Sequence, residues 1–242
     1  MGKKLWVGLL LTGGAYLASR YLGERWGATS AEVDERLPGD ELVPRPNVET
    51  THAITIQAAP AEVWPWLVQA GYRGAGRAGW YTDAWWDPLL DKYILPLMVP
   101  KKDLPAPNWY KSADRIIPEL QHVAVGDVIP DGPPGTAWFV VKEVQPERAL
   151  VLYSESHVRY LAPKALQGTS MAPSGPFTWV FVLRPLEGAA TRLILRTRTE
   201  MRPRLLLELG RPMVYLADFL LARQLLRGFK GRAERAAENP GG

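Results

Sequence analysis

The chain contains no cysteine, and this absence excludes several classes of site at once. Without a thiol there can be no disulfide framework, no thiolate metal site and no lipid-modified cysteine. Histidine is also scarce, since His52, His122 and His157 are the only three. They lie far apart in the chain and form no i, i+4 pair of the kind that binds metal on a helix. We therefore expect no metal site.

A strong net charge is lacking too, because 29 lysines and arginines oppose 25 acidic residues and leave a formal charge of +4. The basic excess lies between Met201 and Ala236, where eight basic residues face three acidic ones. Such a run suits anionic lipid head groups or nucleic acid, but it is more often the solvated face of a helix. We expect no nucleic-acid partner.

A convincing cofactor motif is also missing. The segment Gly74–Gly79 matches G-x-G-x-x-G by letter. A dinucleotide site, however, needs a strand before this motif and a helix after it. Here a helical pattern precedes the glycines and an aromatic segment follows them. We interpret the segment as a flexible turn and expect no cofactor.

The N-terminus carries the first positive signal, an apolar run from Leu5 to Leu22 that Lys3 and Lys4 precede and Arg20 alone interrupts with charge. The run is marginal in length for crossing a bilayer squarely, and it is longer than the apolar part of a cleaved signal. We predict an uncleaved membrane anchor over residues 1–23, on a side of the membrane that the flanking charges do not assign. A buried or interfacial helix is the alternative.

The rest of the chain divides into a linker and one domain. Residues 24–50 are charged and interrupted by prolines, which predicts an extended linker. One globular domain over 51–238 is predicted to follow, with a short helix from Pro60 and a long C-terminal helix from near Pro212. Apolar alternation and turn signals predict an antiparallel meander between them. Its strands, with the strand that precedes the first helix, are Thr51–Gln57, Thr136–Gln145, Ala149–Tyr153, His157–Leu161, Thr178–Pro185 and Ala190–Glu200.

The last predicted strand shows which face of the sheet is dry. Leu193 and Leu195 point one way, while arginines 192, 196 and 198 point the other. This alternation predicts that one face of the sheet is mostly exposed to water. The long C-terminal helix should then lie across the opposite, dry face.

Several separated motifs in order resemble bacterial proteins of the SRPBCC superfamily, the START-like and polyketide-cyclase/dehydrase-like domains. The residues that carry the resemblance are Pro60–Gln69, Gly79–Tyr81, Ala113–Gln121 and Val125–Pro130, with Trp26–Thr29 and Leu37–Glu41 before them. The resemblance covers roughly residues 26–236. It implies an α+β helix-grip fold, in which a curved antiparallel sheet wraps around a long C-terminal helix and leaves a cavity for apolar molecules. The segment Asp87–Lys111 departs from the family pattern as a probable insertion that could form a lid or a membrane-facing flap.

An aromatic segment from Gly79 to Asp87 is the main candidate for a ligand site. Aromatic side chains combine large apolar area with polar edges, which suits a molecule with a greasy body and a polar tip. Packing of the insertion onto the sheet is an equal alternative. The residues predicted to contact a ligand are Trp66, Trp80, Tyr81, Asp83, Trp85, Trp86, Arg115 and Phe219.

Asp83, Asp114 and His157 are the candidates for proton transfer. Asp83 could hold a polar head group or cap a helix. Asp114, beside Arg115, could instead fix a turn. His157 shares the polar face of its predicted strand with Arg159, and an outward, solvated position is favoured over an inward one that would allow a proton shuttle.

Three functions remain open from the sequence. The favoured one is a membrane-anchored module that binds an apolar small molecule or lipid in an internal cavity. The second is a cyclase or aromatase acting on a polyketide-like substrate in the same cavity. The third is a non-catalytic interaction scaffold at the membrane.

Overall fold

The computed structural model describes residues 21, 23–82, 92–93, 111–160, 162 and 164–238. A single antiparallel sheet organises this part of the chain, with strand order β1-β6-β5-β4-β3-β2. Its strands are β1 (Val48–Ile56), β2 (Val128–Pro130), β3 (Trp138–Gln145), β4 (Ala149–Ser154), β5 (Phe177–Leu186) and β6 (Ala190–Thr199). Five of the six predicted strands are therefore confirmed, four of them in the meander (β3–β6), and β2 was not predicted.

Five helices accompany the sheet in the described ranges. They are α1 (Ser30–Asp34), α2 (Pro60–Gln69), α3 (His157–Tyr160), α4 (Lys164–Gln167) and α5 (Arg204–Glu238). The long helix α5 lies against one face of the curved sheet, which we call the inner face. Its buried residues include Tyr215, Ala222, Leu225 and Phe229, which recur at helical spacing. The fold is thus the α+β helix-grip architecture that the sequence predicts.

Helix α5 begins eight residues before the predicted start at Pro212. Pro212 lies inside the helix, and the preceding turns consist largely of leucine, a good helix former. The prediction treated the proline as a first-turn residue, which is its commonest helical position. Tertiary packing of the leucine-rich turn explains the difference, since Leu207 is buried in the core.

Helix α2 is short, as predicted, and both of its ends are satisfied by side chains. Pro60 occupies the first turn, where no backbone N–H is required, and the Glu62 carboxylate accepts a hydrogen bond from the N–H of Ala59 at 2.7 Å. At the other end the Arg77 guanidinium donates to the carbonyl oxygens of Val68 and Ala70. Burial lowers the pKa of Arg77.

The segment 24–50 is not an extended linker. It contains α1, capped by Thr29, and a turn at Asp40–Leu42, and it begins β1 at Val48. Leu37 packs with Val151, Val180 and Ile194 on the face of the sheet opposite α5, which we call the outer face. Proline content misled the prediction, because these prolines shape a covering layer rather than a free spacer.

The prediction of a water-exposed sheet face is wrong for the same reason. Arg196 points to the outer face as expected, but only 1% of its surface is exposed. All five of its guanidinium N–H groups are donated to nearby acceptors. These acceptors are Thr51 Oγ1, Asp40 Oδ2 and the carbonyl oxygens of Glu32, Val33 and Glu35.

The strand predicted at His157–Leu161 is a helical turn instead, α3. Ser154 ends β4, and its hydroxyl oxygen accepts hydrogen bonds from the N–H groups of Ser156 and His157. A serine that satisfies the next backbone donors in this way turns the chain and competes with continued strand pairing. The short turn therefore replaces a strand, and it reverses the predicted direction of His157.

Within the described ranges, no helix combines the length and the apolar character needed to cross a membrane. The anchor predicted over residues 1–23 lies almost entirely outside those ranges. The insertion at 87–111 does so as well, apart from residues 92–93 and Lys111.

Candidate functional site

Five aromatic rings form a continuous cluster on the inner face of the sheet, which we call the aromatic cluster. Its members are Trp80, Phe139, His157, Phe177 and Trp179. Ring centroids of contacting members lie 4.3–6.2 Å apart. The His157 ring stacks on Phe177 at 4.3 Å, and Trp80 meets Trp179 edge to face at 5.1 Å. Such contacts fix the ring planes and hence the directions of their polar atoms.

Strand periodicity places most of the cluster. Phe177 and Trp179 are two residues apart on β5, so both point to the same face, and Phe139 on β3 points there as well. Trp80 reaches them from the segment after α2, where Gly71 pairs with Gly79 through two backbone hydrogen bonds.

His157 faces inward and lies beside a carboxylate. Its Nδ1 is 3.0 Å from Oδ2 of Asp131, and both side chains are largely buried. Asp131 directly follows β2, and its N–H donates to the carbonyl oxygen of Ala137. This places a carboxylate at ion-pair distance from a largely buried imidazole, although the geometry does not make a hydrogen bond to Nδ1. Of the three residues proposed for proton transfer, His157 is the one for which the structure provides such a setting.

Several polar atoms on the inner face are buried and have no hydrogen-bond partner among the residues that the structure describes. They include the indole nitrogens of Trp80 and Trp179 and the hydroxyls of Thr197 and Thr199. These groups are neighbours, because Trp179 pairs with Thr197 and Phe177 pairs with Thr199 across β5 and β6. A buried hydroxyl or indole N–H without a partner costs about 1–3 kcal/mol of stability. Four such groups beside one aromatic cluster therefore lower the free energy of unfolding of the ligand-free protein.

Tyr81 and Trp66, both predicted to bind a ligand, are occupied by contacts within the protein. The Tyr81 hydroxyl donates to the carbonyl oxygen of Trp66 at 3.1 Å and accepts from Gln69 Nε2 at 2.8 Å. Its ring packs edge to face on Phe229 of α5, at 5.1 Å, and the Arg232 guanidinium lies 4.6 Å from the ring centroid. Tyr81 thus ties α2 to α5.

Gln69 connects three parts of the chain, although no sequence pattern singled it out. Its Oε1 accepts from the N–H of Ile117 at 2.9 Å and from Gln121 Nε2 at 3.2 Å, while its Nε2 also donates to the carbonyl of Arg115. It is fully buried. A helical apolar pattern that ends in glutamine is the only sequence signal that could have suggested it.

The remaining predicted site residues are dispersed. Asp114 and Arg115 are exposed, so neither side chain belongs to the inner face. Phe219 is half-buried on α5 and packs edge to face on Trp26 at 6.3 Å, away from the aromatic cluster. Asp83, Trp85 and Trp86 lie outside the described residues.

Among the predicted residues that the structure describes, Trp80 and His157 belong to the aromatic cluster and the others do not. Phe139, Phe177 and Trp179 were missed, although the aromatic alternation of β5 was visible in the sequence. No sequence pattern pointed to Asp131 as a site residue, because its contact with His157 depends on two turns that meet only in the folded protein. In the described part of the chain, no three carboxylate or imidazole groups converge in a way that could hold a metal ion.

Comparisons with known proteins give only weak structural matches. No protein-family model matches the chain, and no curated protein sequence matches it. Among solved structures, a protein from Arthrobacter aurescens has a TM-score of 0.40 and 14% identity, over 77% of this chain and 86% of that chain. A hypothetical protein from Helicobacter pylori has a TM-score of 0.41 and 11% identity, over 81% and 94%. The Aha1 protein from Colwellia psychrerythraea has a TM-score of 0.31 and 15% identity, over 73% and 93%. Likenesses this weak carry no conclusion about a ligand or an activity.

Proposed function

We propose that this chain is a START-like protein of the SRPBCC type that binds an apolar small molecule or lipid between its sheet and α5. The ligand's apolar body lies against the aromatic cluster, and a polar end with at least one acceptor oxygen meets the indole N–H groups. The N-terminal apolar run holds the domain at a membrane.

The observation that carries this proposal is the set of unpartnered polar atoms beside the aromatic cluster. Native proteins hydrogen-bond nearly all buried polar groups, and exceptions concentrate at functional sites. An indole N–H is a donor only, so its missing partner is an acceptor such as a carbonyl or hydroxyl oxygen. The threonine hydroxyls can donate or accept, which suits a ligand with more than one oxygen.

The family assignment has its own support in Gln69. Three of the motifs that resemble SRPBCC proteins meet at this side chain: the helix Pro60–Gln69, the segment Gly79–Tyr81 and the loop Ala113–Gln121. If the three motifs together define a fold family, we expect them to contact one another although they are distant in sequence. Their hydrogen bonds to one buried amide fit that expectation.

The test is to purify the full chain in lipid nanodiscs and look for a retained small molecule by native mass spectrometry. Trp179→Phe keeps an aromatic ring at this position and removes the indole N–H donor. We therefore expect the fraction of protein that retains the small molecule to fall about tenfold or more, the value of one lost hydrogen bond. Trp66→Phe is the matched control, because Trp66 is an equally buried tryptophan outside the aromatic cluster. A wild-type chain with no retained molecule would contradict the proposal and favour the scaffold function.

His157 and Asp131 favour a second function, a cyclase-type enzyme. An imidazole held by a carboxylate could remove a proton from the carbon next to a ligand carbonyl, while the indole N–H groups stabilise the resulting enolate oxygen. The imidazolium then exchanges that proton with solvent, and return of a solvent-derived proton to the carbon completes the exchange. In D2O the retained molecule should then gain deuterium, and His157→Gln should stop the gain while the molecule stays bound. A wild-type protein that retains an enolisable ligand without deuterium gain would exclude this function.

A further inference from the structure

Helix α5 exposes an unusual amount of apolar surface in its N-terminal half. Met213 is 66% exposed, and Leu216, Leu220 and Leu221 are each more than 40% exposed. Their positions, at i, i+3, i+7 and i+8, place them on one side of the helix, which we call the outer stripe. About two turns earlier in the helix, Leu205 is 71% exposed.

The outer stripe lies opposite the side of α5 that packs on the sheet. Rotation by 100° per residue puts Met213 and Leu220 about half a turn from Ala222 and Phe229, which are buried. Further along the helix the outward side carries Gln224 and Arg227 instead of leucine. One continuous helix is therefore apolar outside in its first half and polar outside in its second. Apolar stripes with this pattern mark a surface that another apolar phase covers.

The N-terminal apolar run reaches the fold at this same part of α5. Gly23, which directly follows the Leu5–Leu22 run, packs against Tyr215 so closely that an added Cβ would lie 2.8 Å from Tyr215 Cβ. Trp26 then packs on Phe219. The membrane-like segment of the sequence therefore joins the domain beside the outer stripe.

Charge around the outer stripe favours an anionic surface. Arg204 is exposed before it, and Arg223 and Arg227 follow it beside the Trp26 ring. The acidic residues between these arginines are engaged by other groups: Glu208 pairs with Arg211, and Asp218 accepts from Thr50 and contacts His52. Basic residues at both ends of an apolar stripe are typical of helices that lie in the interface of anionic bilayers.

We infer that the outer stripe of α5 lies in the headgroup–acyl boundary of an anionic lipid bilayer. This contact sets the orientation of the domain on the membrane. It is independent of whether a ligand occupies the inner face.

The absence of native cysteine makes this contact directly measurable. Single variants Leu216→Cys and Leu220→Cys would be labelled with the fluorophore NBD, and the full chain reconstituted into phosphatidylcholine–phosphatidylglycerol vesicles. Met171→Cys and Leu186→Cys are matched controls, because both side chains are similarly exposed but lie outside α5. Quenching by lipids with a nitroxide on the acyl chain reports contact with the bilayer.

We expect stripe labels to be quenched at least threefold more than control labels, and the difference to shrink in vesicles of phosphatidylcholine alone. Equal quenching at stripe and control sites would overturn the inference. A second copy of the protein covering the stripe would also overturn it. In that case the stripe labels would already be shielded from water in detergent, and the unlabelled cysteine variants would crosslink between chains. Thermal unfolding of each labelled variant verifies that the fold is retained.

Discussion

On the outer face of the sheet, Arg196 is buried and donates all five of its N–H groups to acceptors. On the inner face, the indole nitrogen of Trp179 and the hydroxyl of Thr197 are buried and have no partner among the described residues. The two faces belong to the same strands, and Thr197 directly follows Arg196 in β6. A chain able to satisfy a guanidinium completely could also satisfy a hydroxyl. The contrast teaches that the outer face is built for stability, whereas the polar atoms left on the inner face are the ones that the proposed ligand would bind.

The largest effect expected from this comparison is at Arg196. Arg196→Met removes the cation and leaves three carbonyl groups without this donor, while Asp40 loses one of its two arginines and keeps Arg198 and the N–H of Leu37. Breaking one side of a buried ion pair typically costs about 3–5 kcal/mol. Urea unfolding should show a loss of this size. Arg184→Met is the control, because the ion pair of Arg184 with Glu35 is partly exposed and should contribute no more than about 1 kcal/mol. Equal losses in the two variants would remove the structural role given to the outer face.

An effect of opposite sign is expected on the inner face. Thr197→Val replaces an unpartnered hydroxyl by a methyl group of similar shape, so it should raise the free energy of unfolding of the ligand-free protein by about 1 kcal/mol. The same variant should retain less ligand in native mass spectrometry. Gains in stability with a loss of function are the signature of a residue kept for binding.

Thr178→Val is the matched control for that variant. Thr178 is equally buried, one residue before Trp179 in β5, and its hydroxyl donates to the carbonyl of Arg198 at 3.5 Å. Losing that weak bond should lower the stability by up to about 1 kcal/mol and leave ligand retention unchanged. If both valine variants destabilise the protein alike, the inner face is ordinary core and the comparison fails.

Local sequence signals predicted the positions of the helices and strands better than the long-range contacts that these elements make. Alternation located β5 and β6, and the apolar spacing located α2 and α5, because these patterns follow directly from burial on one face. The cover over Arg196 could not be predicted, since it depends on Glu32, Val33 and Asp40 folding back from a segment about 160 residues away. For the site, the sequence identified Trp80 and His157, but it could not pair His157 with Asp131 or show that Tyr81 is held by Gln69.

The smallest of these effects is a pH dependence that belongs to the outer face alone. The hydrogen bond from Arg192 lowers the pKa of Glu32 from 4.5 to about 2, against an opposing effect of burial. Because the folded protein holds this carboxylate ionised more tightly than the unfolded chain does, the stabilisation is present above pH 4.5 and is lost as the pH falls toward 2. The loss should be modest, since Arg192 keeps its contacts with Gly27 and Thr55 after Glu32 is protonated. Urea unfolding of the wild type and of Glu32→Gln across this range checks the effect: the two stabilities should converge as the pH falls, and a constant gap between them would show that Glu32 is not the titrating group.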